Sequence, residues 1–145
     1  MILAEWQKVP EVFDRIWDIT EASFDGIELP PRHLLVDNLK SGTIFVNAHE
    51  IDCYALLGFK FGVYYIWTIA TDPTARGQGF ASQLLDEIAA HAAVIGEDRI
   101  GLATNSDNPA QKLYFDKGYR VTKVLRDFYG PGVHGLFMER NTKTS

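Results

Sequence analysis

The stretch Thr71-Asp72-Pro73-Thr74-Ala75-Arg76-Gly77-Gln78-Gly79-Phe80-Ala81 joins an aromatic, β-branched run to a helical pattern, and no other segment limits the fold as much. A strand must end there, a helix must begin, and two glycines one residue apart must turn the chain between them. Gly77 and Gly79 also let a ligand approach the main chain closely. The helix that follows offers N–H groups without acceptors and the positive end of its dipole. The segment therefore reads as an anion-binding turn suited to phosphate or pyrophosphate, or as a plain strand-to-helix loop whose glycines only solve a turn. A bare Gly-x-Gly does not separate the two readings. The turn lacks the Lys-Ser/Thr that a nucleotide-binding P-loop requires.

The run before it, Tyr54 to Thr71, is nearly long enough to span a bilayer. Lys60 sits inside it, two glycines break it, and its aromatic and β-branched residues suit two strands better. Short strands are expected over Thr43–Asn47, Asp52–Phe59 and Val63–Ala70, an antiparallel meander broken at Ala48-His49-Glu50 and Lys60-Phe61-Gly62. Upstream, Glu11 to Phe24 places Val12, Ile16 and Phe24 near one face with Phe13 and Trp17 beside it, which is helical spacing. Pro31 to Leu39 restarts a helix that stops near Gly42.

Downstream, Gly79 to Ile95 carries Phe80, Leu84, Ile88, Ala92 and Ile95 at helical spacing, with Gly96 as a stop, and Arg99 to Thr104 is a strand. Asn108-Pro109 starts a helix that runs to Lys117 and is closed by Gly118. Tyr119–Leu125 and Gly135–Glu139 are the last strands, around a Gly130-Pro131-Gly132 loop. The expected order is α-α-β-β-β-α-β-α-β-β, an α/β (α+β) chain.

At 145 residues, 46% hydrophobic and 23% charged, with no linker or repeat, the chain reads as a single globular domain over residues 1–145. Its tail, Asn141 to Ser145, looks frayed. Fourteen basic against 19 acidic residues leave a net charge of -5, which argues against a general nucleic-acid or anionic-membrane binder. Any anionic ligand must be met locally. Cys53 is the sole cysteine, in an alternating strand pattern that suits a small buried hydrophobe, and a reducing cytoplasm is the default. His33, His49, His91 and His134 show no metal-ligand spacing, so no metal is expected. Met1 to Glu5 lacks the basic start and apolar stretch of a signal peptide.

Two motifs carry a resemblance to a known family. Arg76-Gly77-Gln78-Gly79-Phe80-Ala81, with Leu84-Leu85 after it, resembles the pyrophosphate loop Arg/Gln-x-x-Gly-x-Gly/Ala of the GCN5-related N-acetyltransferases, the GNAT superfamily. Ala110-Gln111-Lys112-Leu113-Tyr114-Phe115-Asp116-Lys117-Gly118-Tyr119 resembles that family's Ala-x-x-Leu-Tyr-x-x-x-Gly-Phe helix. The resemblance covers most of the chain by order of elements and Tyr65 to Tyr119 by motif. It implies a mixed, mostly antiparallel sheet splayed at the fourth strand, with helices on both faces. Acetyl-CoA is then expected to pair its pantetheine arm with the backbone of Ile69, Ala70 and Thr71 and to seat its pyrophosphate on Arg76, Gly77, Gln78, Gly79, Phe80 and Ala81. The Arg76 side chain either contacts phosphate or forms a surface ion pair.

In acetyl transfer a neutral amine attacks the thioester carbonyl, an oxyanion forms and the coenzyme A thiolate leaves. The resemblance makes Tyr114 the general acid toward the leaving sulfur. Leu102 stands near the place where some ribosomal-protein N-terminal acetyltransferases keep a catalytic Glu. Tyr65, in Tyr65-Ile66-Trp67-Thr68-Ile69, resembles a tyrosine of protein N-terminal acetyltransferases that works through water, and it is the substitute base; the alternative is a packing aromatic. Asp107 stands where relatives usually have Asn. Asn105 and Asn108 are then candidate cofactor contacts, or only a chain turn and an N-cap.

A weak base suits an α-amine, with a pKa of about 8, better than a lysine near about 10.4. Asp127-Phe128-Tyr129 resembles the Asn-Tyr-Tyr segment of bacterial ribosomal-protein alanine acetyltransferases, which shapes the peptide site; hairpin packing is the other reading. The loop Phe24 to Pro30 lies where the family admits the acceptor, with Phe24, Asp25 and Glu28 facing that role or solvent. His134 either assists the acceptor or is structural. The expected activity is acetylation of a protein or peptide amino terminus by a monomer or homodimer. A small-amine acetyltransferase and a non-catalytic coenzyme A-binding module are the alternatives.

Overall fold

The computed structural model describes residues 1–143. The chain forms two compact units, one of Met1–Gly58 with Thr68–Leu84 and the other of Phe59–Trp67 with the described residues from Leu85 on. In order the elements are α1 (Pro10–Ser23), α2 (Arg32–Ser41), β1 (Thr43–Val46), β2 (Cys53–Lys60), β3 (Val63–Thr71), α3 (Phe80–Val94), β4 (Arg99–Asn105), α4 (Gln111–Asp116), β5 (Arg120–Leu125) and β6 (Gly135–Asn141). The expected order of helices and strands holds throughout. One six-stranded mixed sheet runs β1-β2-β3-β4-β6-β5, with β3 and β4 parallel and the β1–β2, β4–β6 and β5–β6 pairs antiparallel. Among the described residues no helix is long and apolar enough to cross a membrane.

In the first unit, Pro10 opens α1 because its fixed φ suits the first helical position. Phe13, Ile16 and Ile19 of α1 join Leu35 and Leu39 of α2 in a core with Ile44, Val46, Tyr54, Leu56 and Ala70. Tyr54 is fully buried and carries a polar atom into this core. Its hydroxyl meets Thr20 Oγ1 at 2.6 Å, and Thr20 donates to the Ile16 carbonyl at 2.7 Å. Met1 to Leu3 lies along β1 through an Ile2–Phe45 bridge and a Leu3 N–H bond to the Ile44 carbonyl at 2.9 Å. Three residues are too few for alternation to announce such a pairing.

In the second unit, the chain turns from β2 to β3 at Phe61 and Gly62, with φ of 55° and 75°. Positive φ at both central residues gives the twist that a two-residue antiparallel hairpin needs. β4 pairs with β6 along seven positions, Arg99 to Asn105. β5 pairs with β6 through an irregularity between Val121 and Lys123. Val63, Tyr65 and Phe137 form one buried cluster of this unit. Gly101 makes the cluster possible, since a Cβ there would stand 2.7 Å from Val63 Cγ2 and 2.8 Å from Phe137 Cζ. Gly101→Ala is therefore expected to lower unfolding free energy by about 1–3 kcal/mol through overpacking, read as a shift of the urea midpoint.

Two expectations are corrected at element ends. Ile95 leaves the buried face of α3 and is 46% exposed, because the helix ends at Val94. Gly96 at φ 83°, with Glu97 N–H bonded to the Ala92 carbonyl at 2.8 Å, closes α3 one residue earlier in a Schellman turn. The tail is not frayed over its described part: Asn141 belongs to β6, and Thr142 is buried and bonds Asp98 and Glu97. Residues 144–145 lie outside the described residues.

Candidate functional site

The first unit holds the end of β3 and the glycine turn. The ladder between β3 and β4 covers Tyr64–Ile66 against Ile100–Leu102, whereas β3 continues to Thr71. Ala70 is buried, and Thr71 donates to Cys53 Sγ at 3.2 Å. Cys53 is fully buried, as its strand pattern implied, and burial pushes its thiol up. It is a packing residue.

Asp72 then organises the turn. Its Oδ1 accepts from the Thr74 N–H at 2.9 Å and the Thr74 hydroxyl at 2.8 Å, capping the short 3-10 turn Pro73–Ala75. Arg15 bridges Asp72 at 2.8 Å and Asp52 at 3.3 Å. The Thr74 bonds, and after them Arg15, hold the Asp72 carboxyl down at about 2 against an ordinary 3.8. A carboxylate depressed in the folded state contributes stability that is complete above its unfolded value and is lost as pH falls through the folded one. Asp72→Asn is thus expected to flatten the loss of stability between about pH 4 and 2, measured as urea midpoints across that window.

Arg76 makes no ion pair among the described residues. Its guanidinium donates to the Thr71 carbonyl at 3.3 Å and to Ser23 Oγ at 3.4 Å, tying the turn to the end of α1 beside Phe24. Two of its five N–H donors are engaged by neutral oxygens. Gly77 and Gly79 have φ of 81° and 82°, and a Cβ at either would meet nothing within 4 Å. Backbone hand, rather than close protein packing, is what demands glycine at both positions. Gln83 N–H bonds the carbonyl of Gly79, the residue just before α3, at 3.0 Å. The N–H groups of Phe80, Ala81 and Ser82 precede it and have no intrahelical acceptor. Glu28 ends the 3-10 turn Gly26–Glu28 in the same unit.

The second unit holds α4 and the loops around it. Asn108 Oδ1 accepts from Ala110 N–H at 2.8 Å, and Asn105 Oδ1 from Asp107 N–H at 2.9 Å. Both asparagines hold turns and keep their amide NH2 groups for other acceptors. The regular part of α4 starts at Gln111, two residues after Pro109, because the preceding turn uses tight bonds such as Gln111 N–H to Asn108 carbonyl at 3.3 Å. Gln111, which no motif singled out, clamps this segment by donating to the carbonyls of Asn105 and Ser106.

Tyr114 is 8% exposed, and its ring meets Tyr119 at 6.2 Å edge to face. The motif's spacing explains the contact. Gly118, at φ 93°, is the left-handed residue of a Schellman turn in which Tyr119 N–H bonds the Tyr114 carbonyl at 3.0 Å, and the two flanking aromatics pack as that turn requires.

Tyr65 is 4% exposed, and desolvation pushes its phenol up to about 12, with a hydrogen bond to the Ala103 backbone working the other way. At neutral pH it stays a phenol, suited to order a water rather than to take a proton as phenolate. Leu102 is buried. In the loop from β5 to β6, Asp127 at φ 54° sends Oδ1 to Gly132 N–H at 2.7 Å and its own N–H to His134 Nδ1 at 3.0 Å. His134 Nδ1 is thereby occupied as an acceptor within the loop. Phe128 and Tyr129 pack edge to face at 4.9 Å. The proposed cofactor cradle with Phe24 and Glu28 thus lies in the first unit, and Tyr65, Asn105, Asn108, Tyr114 and Tyr129 lie in the second.

The model of the acetyltransferase (GNAT) family matches residues 10–119. This chain belongs to the GNAT acetyltransferase family. The ribosomal-protein-S18-alanine N-acetyltransferase from Escherichia coli has a similar structure, with a TM-score of 0.80 at 15% identity over 100% of this chain and 95% of that one. A GNAT-family protein from Desulfovibrio desulfuricans gives 0.81 at 19% identity over 99% of both chains. An aminoglycoside 6'-N-acetyltransferase complexed with coenzyme A gives 0.78 at 12% identity over 100% of this chain and 98% of that one. At these identities the likeness is one of fold. No match was found among curated proteins. The GNAT fold supports transfer of an acetyl group from acetyl-CoA to an amine.

Proposed function

We propose that this protein is an acetyl-CoA-dependent N-acetyltransferase, acting as one cytoplasmic domain on the α-amino group of a protein or peptide. The observation that carries the reading is the turn itself: two left-handed glycines deliver the chain directly into the N-terminus of a fifteen-residue helix. Such a turn fits a pyrophosphate. Gly77 to Ala81 supply backbone donors, and Arg76 adds its unused guanidinium donors. Ile69, Ala70 and Thr71 offer strand backbone to the pantetheine arm, and the amide NH2 groups of Asn105 and Asn108 are further donors to the cofactor.

Acetyl-CoA brings the activated thioester. Tyr114 protonates the departing sulfur, and a neutral phenol does so without changing charge beforehand. Tyr65 holds, through its hydroxyl, the water that receives the amine proton. Phe24 and Glu28 in the first unit and Tyr129 in the second are the residues we assign to the acceptor. The absence of a carboxylate at Leu102 supports an α-amine, which at neutral pH is on the order of one-tenth uncharged, whereas a lysine is less than about one-thousandth so.

The test is thiol release from acetyl-CoA with amino-terminal peptides, lysine peptides, polyamines and aminoglycosides. Peptide kcat/KM is expected to rise with pH and level off near about pH 8 as the α-amine loses its proton. Turnover of polyamines or aminoglycosides without peptides transfers the assignment to small amines. Thermal stabilisation by acetyl-CoA without any turnover makes the protein a binding module.

A further inference from the structure

One cation of the second unit is held by rings alone. Lys60 Nζ lies 5.1 Å from the ring centre of Phe61, 5.7 Å from Tyr65, 4.8 Å from Trp67 and 5.7 Å from Phe128. Among the described residues no carboxylate stands within ion-pair distance of it, although the chain carries a net charge of -5. The rings pack on one another: Tyr65 meets Phe61 edge-on at 5.8 Å and Trp67 at 5.2 Å, and Phe61 and Tyr65 both meet Phe137. Gly135 leaves room for Phe128, whose Cβ is 3.1 Å from where a side chain would begin. Phe61, Trp67 and Phe128 are 49%, 45% and 37% exposed, so solvent reaches the cage.

Ring faces attract ammonium groups, and several faces around one ammonium add their attraction. We infer that this cage is a cation-recognition subsite that takes a primary or methylated alkylammonium group of the acceptor, with Lys60 as its occupant until the acceptor exchanges for it. The cation site stands on the cage alone; its use by an acceptor rests on the acetyl-transfer reading, and two of its walls adjoin residues of that reading, Tyr65 itself and Phe128 next to Tyr129.

Tetramethylammonium is the probe, titrated by ligand-detected NMR against a sodium control. Lys60→Ala is expected to bind it at least about tenfold more tightly than wild type. Lys60→Met, which refills the cage with an uncharged chain, is expected to remain near wild type, and Trp67→Leu on the Lys60→Ala background to remove the gain. A folded Lys60→Ala protein, by circular dichroism and melting, with no gain in affinity overturns the inference. In turnover, Lys60→Ala is expected to raise kcat/KM for a peptide with lysine beside its terminus relative to its norleucine counterpart. An unchanged ratio with tight tetramethylammonium binding removes the acceptor from the cage. Absence of turnover with every acceptor removes the acetyl-transfer reading and leaves the binding result to decide the cation site.

Discussion

Replacing Tyr114 with phenylalanine is expected to lower kcat by about 10²- to 10⁴-fold while acetyl-CoA binding changes little. The change removes one hydroxyl and keeps the ring that packs edge to face on Tyr119 at 6.2 Å. The Gly118 turn that fixes both rings is backbone-bonded, through Tyr119 N–H to the Tyr114 carbonyl, and does not depend on the phenol. The melting temperature should therefore fall by no more than a few degrees, on the order of 1 kcal/mol for a chain of this size. Tyr119→Phe is the matched control. Its hydroxyl is buried without a hydrogen-bond partner among the described residues, so deleting it should leave kcat intact and stability equal or higher. Rate constants for both variants, with dissociation constants for acetyl-CoA, decide the point: equal kcat values for Tyr114→Phe and wild type would exclude Tyr114 as the acid.

The contrast between these two tyrosines also shows what a sequence can carry. The motif Leu113-Tyr114 to Gly118-Tyr119 is legible because its spacing is a common helix ending, in which a left-handed residue follows the last turn and the flanking apolar residues meet. The meander was legible for a similar reason. Lys60-Phe61-Gly62 breaks two apolar runs, and the structure puts Phe61 and Gly62 at the positive φ values of a tight hairpin. Elements that rest on long-range partners were not legible. Met1 to Leu3 is held extended by Ile44, Phe45 and Val46, far along the chain.

The candidate site divides along the same line. Asp72, Asn105 and Asn108 bond groups two residues away, so their turn-making chemistry follows from local sequence. Arg76 offered a choice between a surface ion pair and a phosphate contact, and its partners, Ser23 and the Thr71 carbonyl, belong to neither. Ser23 lies fifty-three positions away, and no local pattern connects it to the turn. Tyr65 could be picked by resemblance, but its rise to about 12 comes from burial, which keeps it a phenol at neutral pH and which no local pattern announces. The aromatic surroundings of Lys60 are a further case, since Phe128 arrives from a different loop.

Changing Gly77 and Gly79 together to alanine is expected to weaken acetyl-CoA binding by about 100-fold, with single changes each near tenfold. An L residue forced into the left-handed region costs about 1–2 kcal/mol, and here nothing else resists the substitution, because a Cβ at either position has open space around it. The chain relieves that strain by rotating the peptides that lead into α3. Those rotations turn the N–H groups of Phe80, Ala81 and Ser82, the donors a pyrophosphate needs at a fixed spacing, away from convergence. Gly96 separates this effect from strain as such. It has φ 83° and equally open space, but it lies at the other end of the same helix, where the carbonyls, not the N–H groups, are exposed. Gly96→Ala should cost similar stability per residue and leave the acetyl-CoA dissociation constant where it was. Calorimetric titration of the wild type, the Gly77/Gly79 double variant and Gly96→Ala resolves the question: equal affinities in all three mean that the turn is only a turn, whereas loss confined to the Gly77/Gly79 variant assigns it to the anion.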